Sequence, residues 1–273
     1  MQKNLKIGLI VVAVVVVVAV AGALMYMNPG TNNNSALVGT PVSGAQMAQL
    51  RNIALNNSLA SSIGAGATTN GGKPNYPETV NGSSPLIIDG KAGVVFVSAD
   101  FCPFCAVTRW GMIIALMRFG NFTGLQYMIS DPDDSYPNSP TFTFSNSSYY
   151  SSSVYFDAVE TANMTGKTLA EPDALQNATL LKYDPGKPSP IPFVDFGNVS
   201  VLVGAVVSPQ VLQGESWSQL IMQLDNTSTP ASQSIIGSAN IFTAYICRVD
   251  PQVNQTSACQ QQYVKSLNGQ LPK

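Results

Sequence analysis

The sequence predicts a domain of the α/β class that follows a single N-terminal transmembrane helix. Two observations support this prediction. Residues 7–27 form one uncharged apolar run, and from Leu86 onward short β-branched runs alternate with longer helical patterns, which is typical of a domain that contains both strands and helices. A chain of 273 residues has room for one domain of ordinary size together with an anchor and a linker.

The apolar run, IGLIVVAVVVVVAVAGALMYM, has the roughly 20 residues that a helix needs to cross the hydrocarbon core of a bilayer. Lys3 and Lys6 precede it, whereas the next basic residue after it is Arg51. The positive-inside rule therefore predicts a single-pass protein of the cell membrane, with residues 1–6 in the cytoplasm and the remainder outside. A cleaved signal peptide stays an alternative, because small-x-small sequences occur within the run. The domain is exported in either case.

The composition excludes several classes of function. Charged residues make up 10% of the chain, their formal sum is -2, and there is no histidine. Sparse charge without a basic excess argues against a nucleic-acid partner. The lack of histidine removes the commonest metal ligand and the usual general base. We therefore expect no nucleic-acid partner and no bound cofactor.

Residues 28–85 are rich in Asn, Gly, Ser and Thr, with a modest helical pattern only over residues 46–59. This composition predicts a polar stalk that holds the domain away from the membrane. Asn-x-Ser/Thr acceptor sequences are spread over the exported part of the chain, and they predict that stalk and domain are glycosylated. The candidate sites begin at Asn33, Asn56, Asn81, Asn121, Asn146, Asn163, Asn177, Asn198, Asn226 and Asn254.

The folded domain is predicted to occupy residues 86–273. Residues 86–89 read as a strand, an Asp89-Gly90 turn follows, and the run GVVFVS over residues 93–98 is typical of a buried central strand. Directly after it, apolar residues recur every three or four positions from Pro103 until Gly120. This period predicts an amphipathic helix.

The second half of the domain continues the alternation of strands and helices. The predicted elements are a strand over 125–130, a hairpin-like insertion over 141–160, a helix over 173–182, strands over 193–196 and 200–207 joined by a Gly197-Asn198 turn, and helices over 216–226 and 231–248. This order matches that of thioredoxin, with additional residues before the proline that precedes the strand over 193–196. We therefore predict a thioredoxin-like domain with an insertion before a cis-proline strand.

Cys102-Pro103-Phe104-Cys105 places two thiols at the start of the helix that follows the central strand. The backbone N–H groups and the dipole at a helix N-terminus favour the thiolate form of a cysteine there. Because thiolates are the attacking species in disulfide exchange, we assign Cys102 as the nucleophile and Cys105 as the resolving cysteine. Pro103 suits the first helical turn, where its missing N–H leaves no hydrogen bond unmade.

The chain has two further cysteines, and these leave alternatives open. Cys247 and Cys259 flank a polar loop, which predicts a structural disulfide. The two pairs could instead form one zinc site, or Cys247 and Cys259 could be a second exchange pair. The pair Cys102 and Cys105 could also be a purely structural disulfide.

Pro192 is the remaining candidate site residue, because a cis proline before FVDF would lie opposite the cysteines and leave the backbone of Ile191 free to bind an extended substrate. On the helix, Trp110 is expected to be a core residue, and Arg109 reads as solvated. Asp89 and Asp100 are the nearest carboxylates upstream of the cysteines, and the sequence assigns them no role.

Two segments of the chain read VVFVSADFCPFCAVTRWGMIIALMRFGNFTGLQ and IPFVDFGN. They resemble the archaeal domain-of-unknown-function family 929, whose members are membrane-anchored proteins with a thioredoxin-like fold. The resemblance implies an extracytoplasmic thiol-disulfide oxidoreductase that uses Cys102, Cys105 and Pro192. Its substrates would be exported proteins that contain cysteines, and its redox partner is not implied. The alternative function is a non-catalytic surface glycoprotein that uses the same scaffold for adhesion or envelope assembly.

Overall fold

A mixed six-stranded sheet organises the domain. The computed structural model describes residues 34–69, 74–183 and 190–272, and the predicted membrane span at 7–27 lies outside them. In the part of the chain that is described, no helix is long and apolar enough to cross a membrane.

Strand β3 (Lys91–Ser98) is the centre of the sheet. It pairs in parallel with one strand and antiparallel with another, which confirms that the apolar run after Asp89-Gly90 is a central strand. The two predicted turns are also confirmed: Asp89, Gly90, Gly197 and Asn198 all have positive φ angles, as tight hairpin turns require. The strands of the sheet are β1 (Glu78–Thr79), β2 (Ile87–Ile88), β3 (Lys91–Ser98), β8 (Val154–Glu160), β9 (Phe193–Phe196) and β10 (Ser200–Val203), in the order β1-β10-β9-β3, with β8 and β2 also paired to β3.

Helices cover both faces of this sheet. Successive side chains of a strand point to opposite faces, and in β3 Val94 and Phe96 belong to the large core beneath α3 (Pro103–Met117) and α6 (Pro230–Ile246). Val95 and Val97 point the other way, into a smaller core with Leu180 of α4 (Ala174–Tyr183). The helices predicted in these three regions are therefore confirmed, but the prediction that α3 is amphipathic is wrong, because all of its residues except Phe104 are buried.

The insertion lies elsewhere in the topology than predicted. It separates α3 from β8 and forms two small antiparallel sheets, in which β4 (Gly120–Thr123) pairs with β7 (Ser148–Ser151) and β5 (Gln126–Ile129) pairs with β6 (Pro140–Thr143). The predicted strand at 125–130 therefore does not join the main sheet, and the predicted hairpin at 141–160 is wrong. A strand pattern shows which face is buried but not which strand is the partner, and the partners here are distant in sequence.

The segment before residue 86 is also folded, so the prediction of a stalk without a core is wrong from residue 34 onward. Helices α1 (Gly44–Leu55) and α2 (Asn57–Ile63) bury Leu50, Ile53 and Leu59 in the large core. Residues from Asn34 on form one compact unit. The stalk prediction followed the polar composition, but a few apolar residues on one face are enough for a helix to dock.

The C-terminal region contains the predicted helices α5 (Trp217–Leu224) and α6, followed by two helices that the sequence analysis does not predict, α7 (Pro251–Asn254) and α8 (Gln262–Gln270). The predicted Cys247–Cys259 disulfide is confirmed, with Cα atoms 5.5 Å apart. It ties the end of α6 to the segment before α8, whose Tyr263, Val264 and Leu267 are buried.

Substitution Gly237→Ala tests the docking of the N-terminal segment. A Cβ atom at this position of α6 would lie 2.3 Å from the carbonyl oxygen of Ala65, so the segment must shift. We expect a loss of about 1–3 kcal/mol in the free energy of unfolding, measured by urea denaturation. The matched control is Gly269→Ala in α8, where a Cβ atom meets nothing within 4 Å. The control should be neutral or stabilising by up to about 1 kcal/mol. Equal stability of the two variants would contradict the packing of residues 63–68 on α6.

The double substitution Cys247→Ser, Cys259→Ser removes the disulfide, which closes a loop with a sequence separation of 12. Because the crosslink restricts the unfolded chain, we expect a loss of about 3 kcal/mol in the free energy of unfolding. Thermal unfolding with and without reductant measures the effect. A variant as stable as the oxidised wild type would contradict a stabilising role for the disulfide.

Candidate functional site

The cysteine pair lies where β3 meets α3. Cys102 is the N-cap residue of α3, and its sulfur accepts a hydrogen bond from the backbone N–H of Cys105 at 3.2 Å. Pro103 occupies the first helical position, as predicted. Cys102 is 6% exposed and Cys105 is 0% exposed. Cys102 is therefore the more exposed of the two residues, as the predicted division of roles requires.

The two thiols have pKa values that are shifted in opposite directions. A hydrogen bond from the Cys105 side chain lowers the pKa of Cys102, and this outweighs the effect of burial. Burial raises the pKa of Cys105 well above its usual range, and the neighbouring Cys102 raises it further. At a pH between the two values, Cys102 is a thiolate and Cys105 a thiol. This is the protonation state in which an attacking and a resolving cysteine start.

The Ile191–Pro192 peptide bond is cis, as predicted. Pro192 directly precedes β9, which is the antiparallel neighbour of β3. The Cys102 sulfur lies 4.0 Å from the carbonyl oxygen of Ile191. The fold therefore brings together the residues that the sequence analysis proposes for the site, Cys102, Cys105 and Pro192.

The prediction that Arg109 is solvated is wrong, because the residue is 0% exposed. Its Nε donates to Oε1 of Glu160 at 2.9 Å, and its Nη2 forms an ion pair with Oε2 of the same carboxylate. Nη2 also lies 3.7 Å from Oδ1 of Asp100. Burial raises the pKa of Asp100 to about 6, although Arg109 opposes the shift. A charged cluster thus lies within the core beside the cysteines.

The sequence analysis misses Glu160, the main partner of Arg109. It ends β8, 51 residues after Arg109. Two features of the sequence could have indicated this pairing. A carboxylate ends the β-prone run VYFDAVE, and one arginine occurs within an apolar helix. Two opposite charges in buried elements indicate a pair. Trp110 is a core residue, as predicted, and its Nε1 donates to the carbonyl oxygen of Pro140 at 2.8 Å.

The insertion contributes one side of the site. The backbone N–H of Asp131 donates to the carbonyl oxygen of Phe101 at 2.9 Å. The ring of Tyr136 packs edge-on against the ring of Phe104, with centroids 5.8 Å apart. The cysteines therefore lie beside half-buried aromatic residues, which suits contact with a polypeptide.

The remaining predicted residues are the second cysteine pair and the candidate glycosylation sites. Since Cys247 and Cys259 are bonded to each other, the four cysteines cannot form one zinc site, and Cys102 and Cys105 are free thiols. Asn33 lies outside the described residues, while the other nine candidate glycosylation sites are exposed or half-buried. Their asparagines are therefore accessible to a transferase.

Alkylation by iodoacetamide as a function of pH tests the assignment of the two thiols. We expect the fast-reacting thiol to be Cys102, with a midpoint below that of an ordinary cysteine, because the hydrogen bond from Cys105 favours its thiolate. Cys105→Ser should keep a fast-reacting thiol, and Cys102→Ser should leave only a slow one. Fast alkylation that persists in Cys102→Ser would reverse the assignment.

Comparison with known proteins supports the family resemblance. Residues 80–181 match the model of a family described as Domain of unknown function (DUF929). The matched segment contains the cysteine pair, Arg109 and Glu160 and ends before Pro192. No curated protein and no solved structure matches the chain. Over residues 80–181, the chain is therefore similar to the DUF929 family.

Proposed function

We propose that this chain is a membrane-anchored thiol-disulfide oxidoreductase with a thioredoxin-like fold, which forms or rearranges disulfides in exported proteins. The observation that carries the proposal is the position of the Cys102 sulfur. It caps a helix, it lies 4.0 Å from the Ile191 carbonyl oxygen before a cis proline, and the buried thiol of Cys105 is its hydrogen-bond partner.

The topology supports the thioredoxin-like fold. Strand β8 is parallel to β3, whereas β9 and β10 form an antiparallel hairpin on the other side of β3. Helices α3 and α6 pack on one face of these four strands and α4 packs on the other. The cysteine pair follows the central strand and the cis proline begins its antiparallel neighbour. Fold alone does not decide activity, so the function is argued from the site.

The geometry supports exchange in two steps. The Cys102 thiolate attacks one sulfur of a substrate disulfide, so that a mixed disulfide forms and the other substrate sulfur leaves as a thiolate that takes up a proton. Cys105 then loses its proton and attacks the Cys102 sulfur. The bond between Cys102 and the substrate breaks, the substrate is released reduced, and the Cys102–Cys105 disulfide forms. The reverse sequence transfers a disulfide to a reduced substrate.

The proposed location supports substrates from outside the cytoplasm. The charge bias around residues 7–27 predicts that the domain is exported, and the Cys247–Cys259 disulfide is of the kind that persists in oxidising compartments. The Ile191 carbonyl next to Cys102 offers a backbone acceptor to an extended peptide that presents a cysteine. We therefore propose flexible cysteine-containing segments of exported proteins as the substrates.

The reduction potential of the Cys102/Cys105 pair tests the proposal. The full chain in detergent is equilibrated with glutathione buffers, and the thiols are trapped by alkylation. A potential between about -120 and -180 mV, with rapid exchange with a disulfide-bonded peptide, is expected for an enzyme that forms or rearranges disulfides. Cys102→Ala should abolish exchange, and Cys105→Ala should accumulate the mixed disulfide.

The control is the variant Cys247→Ser, Cys259→Ser, which should retain exchange because it leaves the free thiols of Cys102 and Cys105 unchanged. A Cys102/Cys105 potential below about -300 mV without exchange would indicate a structural bridge. That outcome would favour the non-catalytic surface glycoprotein, which the nine accessible acceptor asparagines support.

A further inference from the structure

Three charged side chains are buried beside the cysteine pair. Asp100 is 1% exposed, Arg109 0% and Glu160 3%. Taking charged groups out of water is costly, and a buried ion pair often stabilises a fold no better than apolar residues of the same volume. The position of these charges beside two reactive sulfurs therefore calls for a chemical explanation.

Glu160 is fully engaged in holding Arg109. Its Oε1 accepts hydrogen bonds from Nε of Arg109 at 2.9 Å and from the backbone N–H of Phe144 at 3.3 Å. Its Oε2 accepts a hydrogen bond from Oγ of Ser98 at 2.6 Å and pairs with Nη2 of Arg109. A two-point contact to a carboxylate fixes the plane of the guanidinium group. Glu160 therefore sets the direction in which the rest of Arg109 points.

Arg109 is also connected to the turn that carries the cysteines. Arg109 lies four residues after Cys105 in α3, so the two side chains share one face of the helix. Nη2 donates to the carbonyl oxygen of Ala99 at 2.7 Å, and the same oxygen lies 3.3 Å from the backbone nitrogen of Cys102. The guanidinium group is thus connected to the active-site turn through a single carbonyl group.

One nitrogen of Arg109 has no assigned hydrogen bond. Nη1 is buried, and among the described residues nothing accepts a hydrogen bond from it. Oδ1 of Asp100, which lies 3.7 Å from Nη2, is likewise buried without a hydrogen-bond partner. Leaving a buried donor unsatisfied costs about 1–3 kcal/mol, and more for a charged group. An unsatisfied donor beside a thiol is suited to bind the thiolate, which is a hydrogen-bond acceptor that exists only during the reaction.

We propose that Arg109, oriented by Glu160, stabilises the thiolate that Cys105 forms when it resolves the mixed disulfide. The inference rests on the function proposed above: Arg109 acts directly on the Cys105 sulfur, and Glu160 is the residue that positions Arg109. In the resolving step, Cys105 loses its proton and its sulfur attacks Cys102. The bond from Cys102 to the substrate breaks, and the substrate sulfur leaves with the electron pair and takes up a proton. The guanidinium charge lowers the cost of placing a negative sulfur in the core.

The effect of Arg109 on the cysteines agrees with this assignment. Burial and the neighbouring Cys102 raise the pKa of Cys105, and the positive charge of Arg109 acts in the opposite direction. The other titratable groups that face the guanidinium group are Glu160 from β8 and Asp100 from the turn before α3. With no histidine in the chain, Arg109 is the cation that acts on both thiols.

The test measures the resolving step directly on the full chain in detergent. The reduced protein is mixed with 5,5′-dithiobis(2-nitrobenzoic acid), which forms a mixed disulfide at Cys102, and the release of the second thionitrobenzoate by Cys105 is followed as a function of pH. Wild type is compared with Arg109→Lys and with the double variant Arg109→Met, Glu160→Gln. The double variant removes Arg109 together with its main partner, so that the Glu160 carboxylate is not left buried without a counter-charge.

We expect the double variant to shift the midpoint of the release rate upward by about one pH unit, which lowers the rate about tenfold below that midpoint. Arg109→Lys should restore part of the rate, because it keeps the charge but not the two-point contact. The matched control is Arg118→Lys. Arg118 is half-buried, and its guanidinium group donates hydrogen bonds to Ala54, Ala239, Asn240 and Thr243. It lies about 20 Å along the axis of α3 from Cys105.

The outcomes separate the inference from the proposed function. A wild-type chain that releases no second thionitrobenzoate would refute the exchange activity itself. A wild-type chain that releases it, while the Arg109 variants keep the wild-type midpoint, would refute only the role of Arg109. An equal shift in Arg118→Lys would show a general loss of packing and would also overturn the assignment. Thermal unfolding confirms that each variant is folded.

Discussion

Helix α3 is buried on almost all sides, and the rest of the domain is arranged to cover it. Of its 15 residues, all but Phe104 are buried. A helix that is apolar around its whole circumference cannot remain at a surface. The sheet and α6 cover part of it, and α1 together with the inserted strand β6 covers the rest. This requirement explains why the segment after residue 34 is folded and why the insertion packs where it does.

The same burial gives the two cysteines different environments. Cys102 stands at the helix N-terminus, where backbone N–H groups and limited exposure favour a thiolate. Cys105 lies one turn deeper, where it is fully buried and a negative charge is unfavourable. In the proposed exchange, the position of each cysteine along α3 alone separates the attacking sulfur from the resolving one. The proposed resolving step places a transient negative charge on Cys105, and Arg109 is the buried cation that we propose stabilises it.

The site is assembled from three separate parts of the chain. The cysteine pair comes from the β3–α3 connection, the cis proline comes from the start of β9, and Glu160 comes from the end of β8. These elements meet because β8 and β9 flank β3 on opposite sides. The topology of the sheet therefore determines the chemistry, since neither Pro192 nor Glu160 is near Cys102 in sequence.

The sequence determined the features that depend on local patterns. The central strand, the helix after the Cys-x-x-Cys pair, the two tight turns and the Pro-led hairpin follow from hydrophobic period and turn chemistry. The Cys247–Cys259 disulfide follows from the spacing of the only other cysteines. The cis form of Pro192 follows from the order of elements.

Tertiary structure alone decided the features that depend on distant partners. Strand β8, rather than residues 125–130, became the parallel neighbour of β3, because period-two patterns do not name their partners. The composition of residues 44–63 predicts part of a polar stalk. In the structure, a few of their apolar side chains are sufficient to cover α3. Arg109 reads as solvated until Glu160, 51 residues away, is brought beside it. In each case, the interaction that decides the structure joins two segments that are distant in sequence. The local sequence of one segment does not indicate the other, and only folding brings them into contact.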